Sequence, residues 1–79
     1  MVANWDSQDS KKWLRNRLKE LDIKSLEQLS EISGIDPGSI SRYFSQERRP
    51  SIDVLEPLSR ALSVSTDELL KVLGAKKEL

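Results

Sequence analysis

The run from Ser25 to Ser45, SLEQLSEISGIDPGSISRYFS, constrains the fold more tightly than any other part of the chain. It reads as two short helices joined at Gly34-Ile35-Asp36. Ser25 suits a helix N-cap, and Gln28, three residues on, completes the capping-box spacing, which predicts a helix beginning at Ser25. Leu26, Leu29 and Ile32 form its apolar face, until Ser33-Gly34 ends the pattern where glycine can take the left-handed conformation that closes helices. The second helix opens at once, because Asp36 is a favoured N-cap and Pro37 suits the first helical position, where no N–H is needed. So short a connection makes the two helices cross steeply and leaves the second exposed along one side.

The remainder of the chain limits what this pair can belong to. At 79 residues it is one small domain, able to bury only about 60% of the surface its unfolded chain exposes. It has no cysteine and no histidine, so disulfides, thiolate zinc sites and imidazole chemistry are excluded. Nothing pairs a nucleophile with a base; no enzyme activity, cofactor, metal or small-molecule ligand is expected. No apolar run approaches the ~18 residues of a membrane span, and the start MVANWDSQDS lacks signal-sequence character, so no membrane partner and a cytoplasmic location are expected. Thirteen Lys/Arg balance thirteen Asp/Glu, which removes the simplest argument for nucleic acid. The balance is uneven, however: residues 10–49 carry +3, residues 1–9 carry −2 and residues 50–79 carry −1.

In chain order, residues 1–8 lack periodicity and read as a flexible N-terminal arm with Trp5 as its anchor. A helix capped by Asp9 or Ser10 follows, with Trp13 or Leu14, Leu18 and Leu21 on its apolar side, and with Lys11, Lys12, Arg15 and Lys19 as a solvated face. After the central pair comes the polar loop Gln46-Glu47-Arg48-Arg49-Pro50, where the proline pushes Arg49 toward extended geometry. A fourth helix is expected from Ser51 or Asp53 to Leu62, burying Val54 or Leu55, Leu58, Ala61 and Leu62, short or kinked because of Pro57. A fifth begins at Ser65, where Glu68 repeats the capping-box spacing, and buries Leu69, Leu70 and Leu73 up to Gly74. Residues 75–79 read as a C-terminal tail. With no strand-period alternation, the fold expected for residues 9–74 is an all-α, compact five-helix bundle.

The second helix of the pair buries Ile40, Tyr43 and Phe44 and presents Gly38, Ser41, Arg42 and Ser45 on its opposite side, flanked by Ser39 and Gln46. A small polar face with one long cation fits the major groove of double-stranded DNA, where arginine donates two parallel bonds to guanine and serines bond bases or phosphates. Arg48 and Arg49 are candidate phosphate clamps, and Lys24 and Ser25 are candidate phosphate contacts at the neighbouring helix end. The helix N-terminus at Pro37 to Ser39 offers the backbone N–H groups of Gly38 and Ser39 and a favourable dipole for an anion.

From about Trp13 to Leu70 these residues resemble the Cro/C1-type, lambda-repressor-like helix-turn-helix domain of phage and bacterial repressors. The matching features are Leu29 and Gly34, Ile35 in the turn, Ile40-Ser41-Arg42-Tyr43, Arg49-Pro50-Ser51, and the run LSRALSVSTDELL from Leu58 to Leu70. The resemblance implies a sequence-specific, repressor-like transcriptional regulator whose recognition helix, about 37–45, enters the major groove, with Pro37 to Ser39 and Arg42 facing bases. It also implies a homodimer; Val72, Leu73 and Leu79 exceed what one small core needs and are the expected dimer surface. Four departures accompany the match. Leu26 stands where the family commonly has a glutamine that contacts the DNA backbone, and Ser30 where a small alanine is usual. Phe44 and Gln46 replace an acidic residue and a glycine, and Pro37-Gly38 replaces long amides that read bases. The reading surface is therefore thin and concentrated on Arg42. The alternative is a helix-turn-helix fold used as a protein-interaction or antitoxin-like module with weak or no DNA binding.

Overall fold

Helix α1 (Ser7–Glu20) starts before its apolar pattern does, because its cap is Asp6 and not Asp9 or Ser10. In the computed structural model, which describes residues 5–74, Asp6 Oδ1 accepts from Asp9 N at 2.8 Å and Asp9 Oδ2 accepts from Asp6 N at 3.3 Å. This reciprocal capping box, built from two aspartates, pulls Ser7 and Gln8 out of the expected arm and into the helix. Residues 1–4 of that arm, and the tail expected over 75–79 with Leu79, lie outside the described residues.

Ser25 caps α2 (Leu26–Ser33) and Ser65 caps α5 (Thr66–Val72), their hydroxyls accepting from Gln28 N at 3.1 Å and Glu68 N at 3.0 Å. The Gln28 side chain does not return to Ser25; it accepts from Lys24 N at 2.7 Å, one residue further upstream. Gly34 takes the left-handed conformation expected of it (φ +77°), and Asp36 and Pro37 open α3 (Pro37–Phe44). Helix α4 (Ile52–Ala61) runs on through Pro57. The proline leaves the Asp53 carbonyl without its helical donor, and Asp53 is exposed, so water can supply the bond.

The core gathers Leu14 from α1, Leu29 from α2, Ile35 from the turn, Ile40, Tyr43 and Phe44 from α3, Leu58 and Leu62 from the end of α4, and Leu69, Val72 and Leu73 from α5. All five helices contribute, and the described residues contain no strand. Two sequence expectations need correction. Ile32 is 54% exposed. A spacing of three residues drifts by about 60° per step around a helix of 3.6 residues per turn, and Ser33, half-buried, shares the Leu26 side of Leu29 while Ile32 falls on the other. Val72 and Leu73 are only 1% and 4% exposed, so both are spent on the core and neither is free as a dimer surface.

Arg17 joins α1 to the end of α4. Its Nε donates to the Leu62 carbonyl at 2.9 Å, Nη2 to the Ser63 carbonyl at 3.0 Å, and Nη1 to Glu20 at 3.0 Å. The first two are helix-end carbonyls that lack intrahelical donors. Removing this fork in Arg17→Ala is expected to lower stability by about 2 kcal/mol, the scale of hydrogen bonds from a charged donor. Urea denaturation will read it, and Arg17→Lys should recover less than half, because one ammonium cannot span both carbonyls.

Candidate nucleic-acid interface

Helix α3 is held from both ends and from behind. Asp36 Oδ2 accepts from Ser39 N at 3.1 Å at its start. Behind it, Ile40, Tyr43 and Phe44 are buried, and the Phe44 ring stacks parallel to Trp13 of α1 with centroids 6.3 Å apart and planes 7° from parallel. Phe44 therefore belongs to the core, where an aromatic partner on α1 receives it. The outward face carries Gly38, Ser41 and Arg42, all exposed, with Pro37, Ser39 and Ser45 half-buried at its margins.

Arg42 makes no ion pair and no side-chain hydrogen bond among the described residues; neither Glu31 nor Glu47 takes it. Its guanidinium lies toward Gly38, where an added β-carbon would stand 3.7 Å from Nη1. The bare backbone at Gly38 thus leaves the arginine room along the helix surface. Ser45 is less free, since its hydroxyl lies 2.9 Å from Glu47 Oε2 and 3.1 Å from the Arg42 carbonyl.

The remaining candidates sort by their partners. Lys24 Nζ sits 3.3 Å from Asp22 Oδ1, an exposed pair that water screens. The Ser25 oxygen is occupied by its capping bond, though its hydroxyl hydrogen remains available. Arg48 and Arg49 are exposed and unpaired among the described residues, in the loop that follows α3. Gln46 is exposed like them, but its amide N–H groups are committed within the fold. It adopts φ +63°, the conformation that glycine would supply, and turns its amide back onto Trp5 and Ser10.

Sequence reasoning set Lys11 and Arg15 aside as a solvated face. Packing of α1 against α3 brings them beside Ser41, around a groove of about 240 Å³ whose apolar lining is Leu14, Leu18, Leu26 and Phe44. Their i, i+4 spacing astride the apolar stripe was the available signal. The candidate surface so built sets two cations of α1 beside the outward face of α3, and no group of three or more His, Cys, Asp or Glu among the described residues is placed to hold a metal ion.

The described helices include none long and apolar enough to cross a membrane. Comparison with curated proteins and with solved structures yields no significant match. The family described as helix-turn-helix matches over residues 14–69, a span that takes in the second half of α1, all of α2 to α4 and the first turn of α5. Within that span lie the capped α2, the left-handed Gly34 and α3 with its polar face outward, and the chain belongs to the helix-turn-helix family of the Cro/C1 type, a family of DNA-binding regulators.

Proposed function

We propose that the protein is a sequence-specific, repressor-like transcriptional regulator of the cytoplasm that sets α3 in the major groove of double-stranded DNA and binds as a homodimer. The observation that carries this reading is Arg42: exposed, unpaired and surrounded by residues too small to block its approach to base edges. Pro37, Gly38, Ser39 and Ser41 accompany it, and Arg48, Arg49, Lys24 and Ser25 supply backbone contacts that fix register. Symmetry favours two copies on a palindromic site. With Val72 and Leu73 in the core, the side chain best supporting a contact between copies is Ile52, 84% exposed at the start of α4 just after the Arg48-Arg49 loop.

Selection of bound sequences from random duplex tests the reading. The expected consensus is palindromic with half-sites about 34–36 Å apart, one helical turn; failure to enrich any sequence rejects it. In the same assay the double variant Arg48→Ala, Arg49→Ala is expected to weaken selected and random duplexes in parallel. Its slope of log affinity against log salt should become shallower by about 1.8 per protomer, two phosphate contacts' worth, and so by about 3.6 for the bound dimer. An unaltered slope removes both arginines from the backbone contact.

A second reading, the protein-interaction or antitoxin-like module, has one observation in its favour. The groove lined by Leu26 and Phe44 is apolar where a DNA-contacting amide is usual, and would seat a partner's side chain. Partner binding insensitive to salt, with no duplex binding, would decide for it.

A further inference from the structure

Gln46 holds φ +63° directly after α3, a conformation that residues with a β-carbon adopt at a cost. Its side chain offsets that cost. Nε2 donates one hydrogen to the Trp5 carbonyl at 2.8 Å and the other to Ser10 Oγ at 3.0 Å, so both amide hydrogens are used. Ser10 has no exposed surface, and its own hydroxyl hydrogen goes to the Val72 carbonyl. That carbonyl ends α5 and has no intrahelical donor. The Asp6 carbonyl, 3.1 Å from the same hydroxyl, is the competing acceptor. Gly74 keeps the space open: a β-carbon there would stand 2.7 Å from Gln46 Nε2 and 3.0 Å from the Trp5 carbonyl. One amide thus ties the end of α3 to the start of α1 and, through Ser10, to the end of α5.

The loop leaving this joint carries Arg48 and Arg49, and both line a small pocket together with Gln46, Pro50, Leu73 and Gly74. Resting on the DNA reading above, we propose that Gln46 is a positioning residue for phosphate contact: its tie to Trp5 and Ser10 sets the direction in which residues 47–50 leave α3, and so where Arg48 and Arg49 meet the DNA backbone. A glycine would reach the same backbone angle without the tie. That difference separates the positioning role from a merely structural one.

The test compares wild type with Gln46→Gly, which accepts the positive φ but cannot bond. Gln46→Asn serves as the second variant, since it tolerates φ > 0 but is too short to reach both acceptors. Two readouts are taken: ¹⁵N relaxation of the Glu47, Arg48 and Arg49 amides, and salt titration of binding to a fluorescein-labelled random-sequence duplex. Both variants are expected to melt close to wild type, gain fast motion at residues 47–49, and bind the duplex about fivefold more weakly with a salt slope shallower by about 0.9 to 1.8 for each protomer bound. Wild-type motion and wild-type slope in Gln46→Gly overturn the proposal. If wild type itself shows no salt-dependent duplex binding, the DNA reading fails and the phosphate role falls with it, while the relaxation data still decide whether Gln46 fixes the loop.

Discussion

Phe44→Ala is expected to lower the free energy of unfolding by about 3–5 kcal/mol, the range for truncating a buried phenylalanine. Phe44 is fully buried at the far end of α3, and it is the only ring stacked on Trp13 among the described residues. A domain of this size has about 4–12 kcal/mol to lose, so the variant will be partly unfolded near 37 °C. The loss has a functional side as well. Ile40, Tyr43 and Phe44 are the residues that hold α3 against the core, and truncating one of them frees the helix that carries Arg42. Phe44→Leu should cost only about 1–1.5 kcal/mol, since most of the apolar volume is kept. Urea titration followed by helical circular dichroism measures both. A loss under about 1 kcal/mol for the alanine variant would mean that the cavity collapses and that the Trp13 contact is not what anchors α3.

How far such packing was legible beforehand depends on the range of the signal. Gly34, Asp36 and Pro37 could be read directly, because a left-handed turn, an N-cap and a first-turn proline are demands that each residue meets within its own few neighbours. The buried side of α3 was legible from the i, i+3, i+4 spacing of Ile40, Tyr43 and Phe44. Ile32 was misread, since a three-residue repeat shows a helix without showing which flank its neighbours cover. Val72 and Leu73 were misread for a related reason: whether a small core has room for them is a property of five packed helices and not of α5. Asp6 escaped notice because its capping partner is aspartate, not the longer Glu or Gln that the usual spacing anticipates. Gln46 could not be placed at all from local pattern, because the groups that satisfy it lie 36 and 41 residues away. The candidate site divides the same way. Arg42 was visible as the long cation on a small face, whereas Lys11 and Arg15 come beside Ser41 only once α1 lies against α3.

Arg42→Ala is expected to reduce the ratio of selected-site to random-duplex affinity by about 5-fold to 150-fold per half-site, the 1–3 kcal/mol of one bidentate base contact. Alternative carriers of discrimination are few. Pro37 and Gly38 have no side-chain donor, Ser45 shares its hydroxyl between the Arg42 carbonyl and Glu47, and Gln46 has both amide hydrogens committed to Trp5 and Ser10. Ser39 and Ser41 can each make a single bond that several bases accept, which positions more than it discriminates. Because Arg42 is exposed and unpaired, its loss should leave the unfolding midpoint where it is, so a change in DNA binding cannot be blamed on the fold. Affinity for random duplex should fall only by the share of one charge per protomer, with the salt slope shallower by at most about 0.9 for each protomer bound. Arg42→Lys separates charge from geometry: it keeps the cation and therefore the slope, but a single ammonium cannot reproduce the planar fork that spans guanine O6 and N7. If the lysine variant lost selectivity and kept slope, while the alanine variant lost both, discrimination would reside in the guanidinium itself. Retention of the wild-type consensus by Arg42→Ala would instead move sequence reading off α3, toward Lys11, Arg15 and the groove they flank.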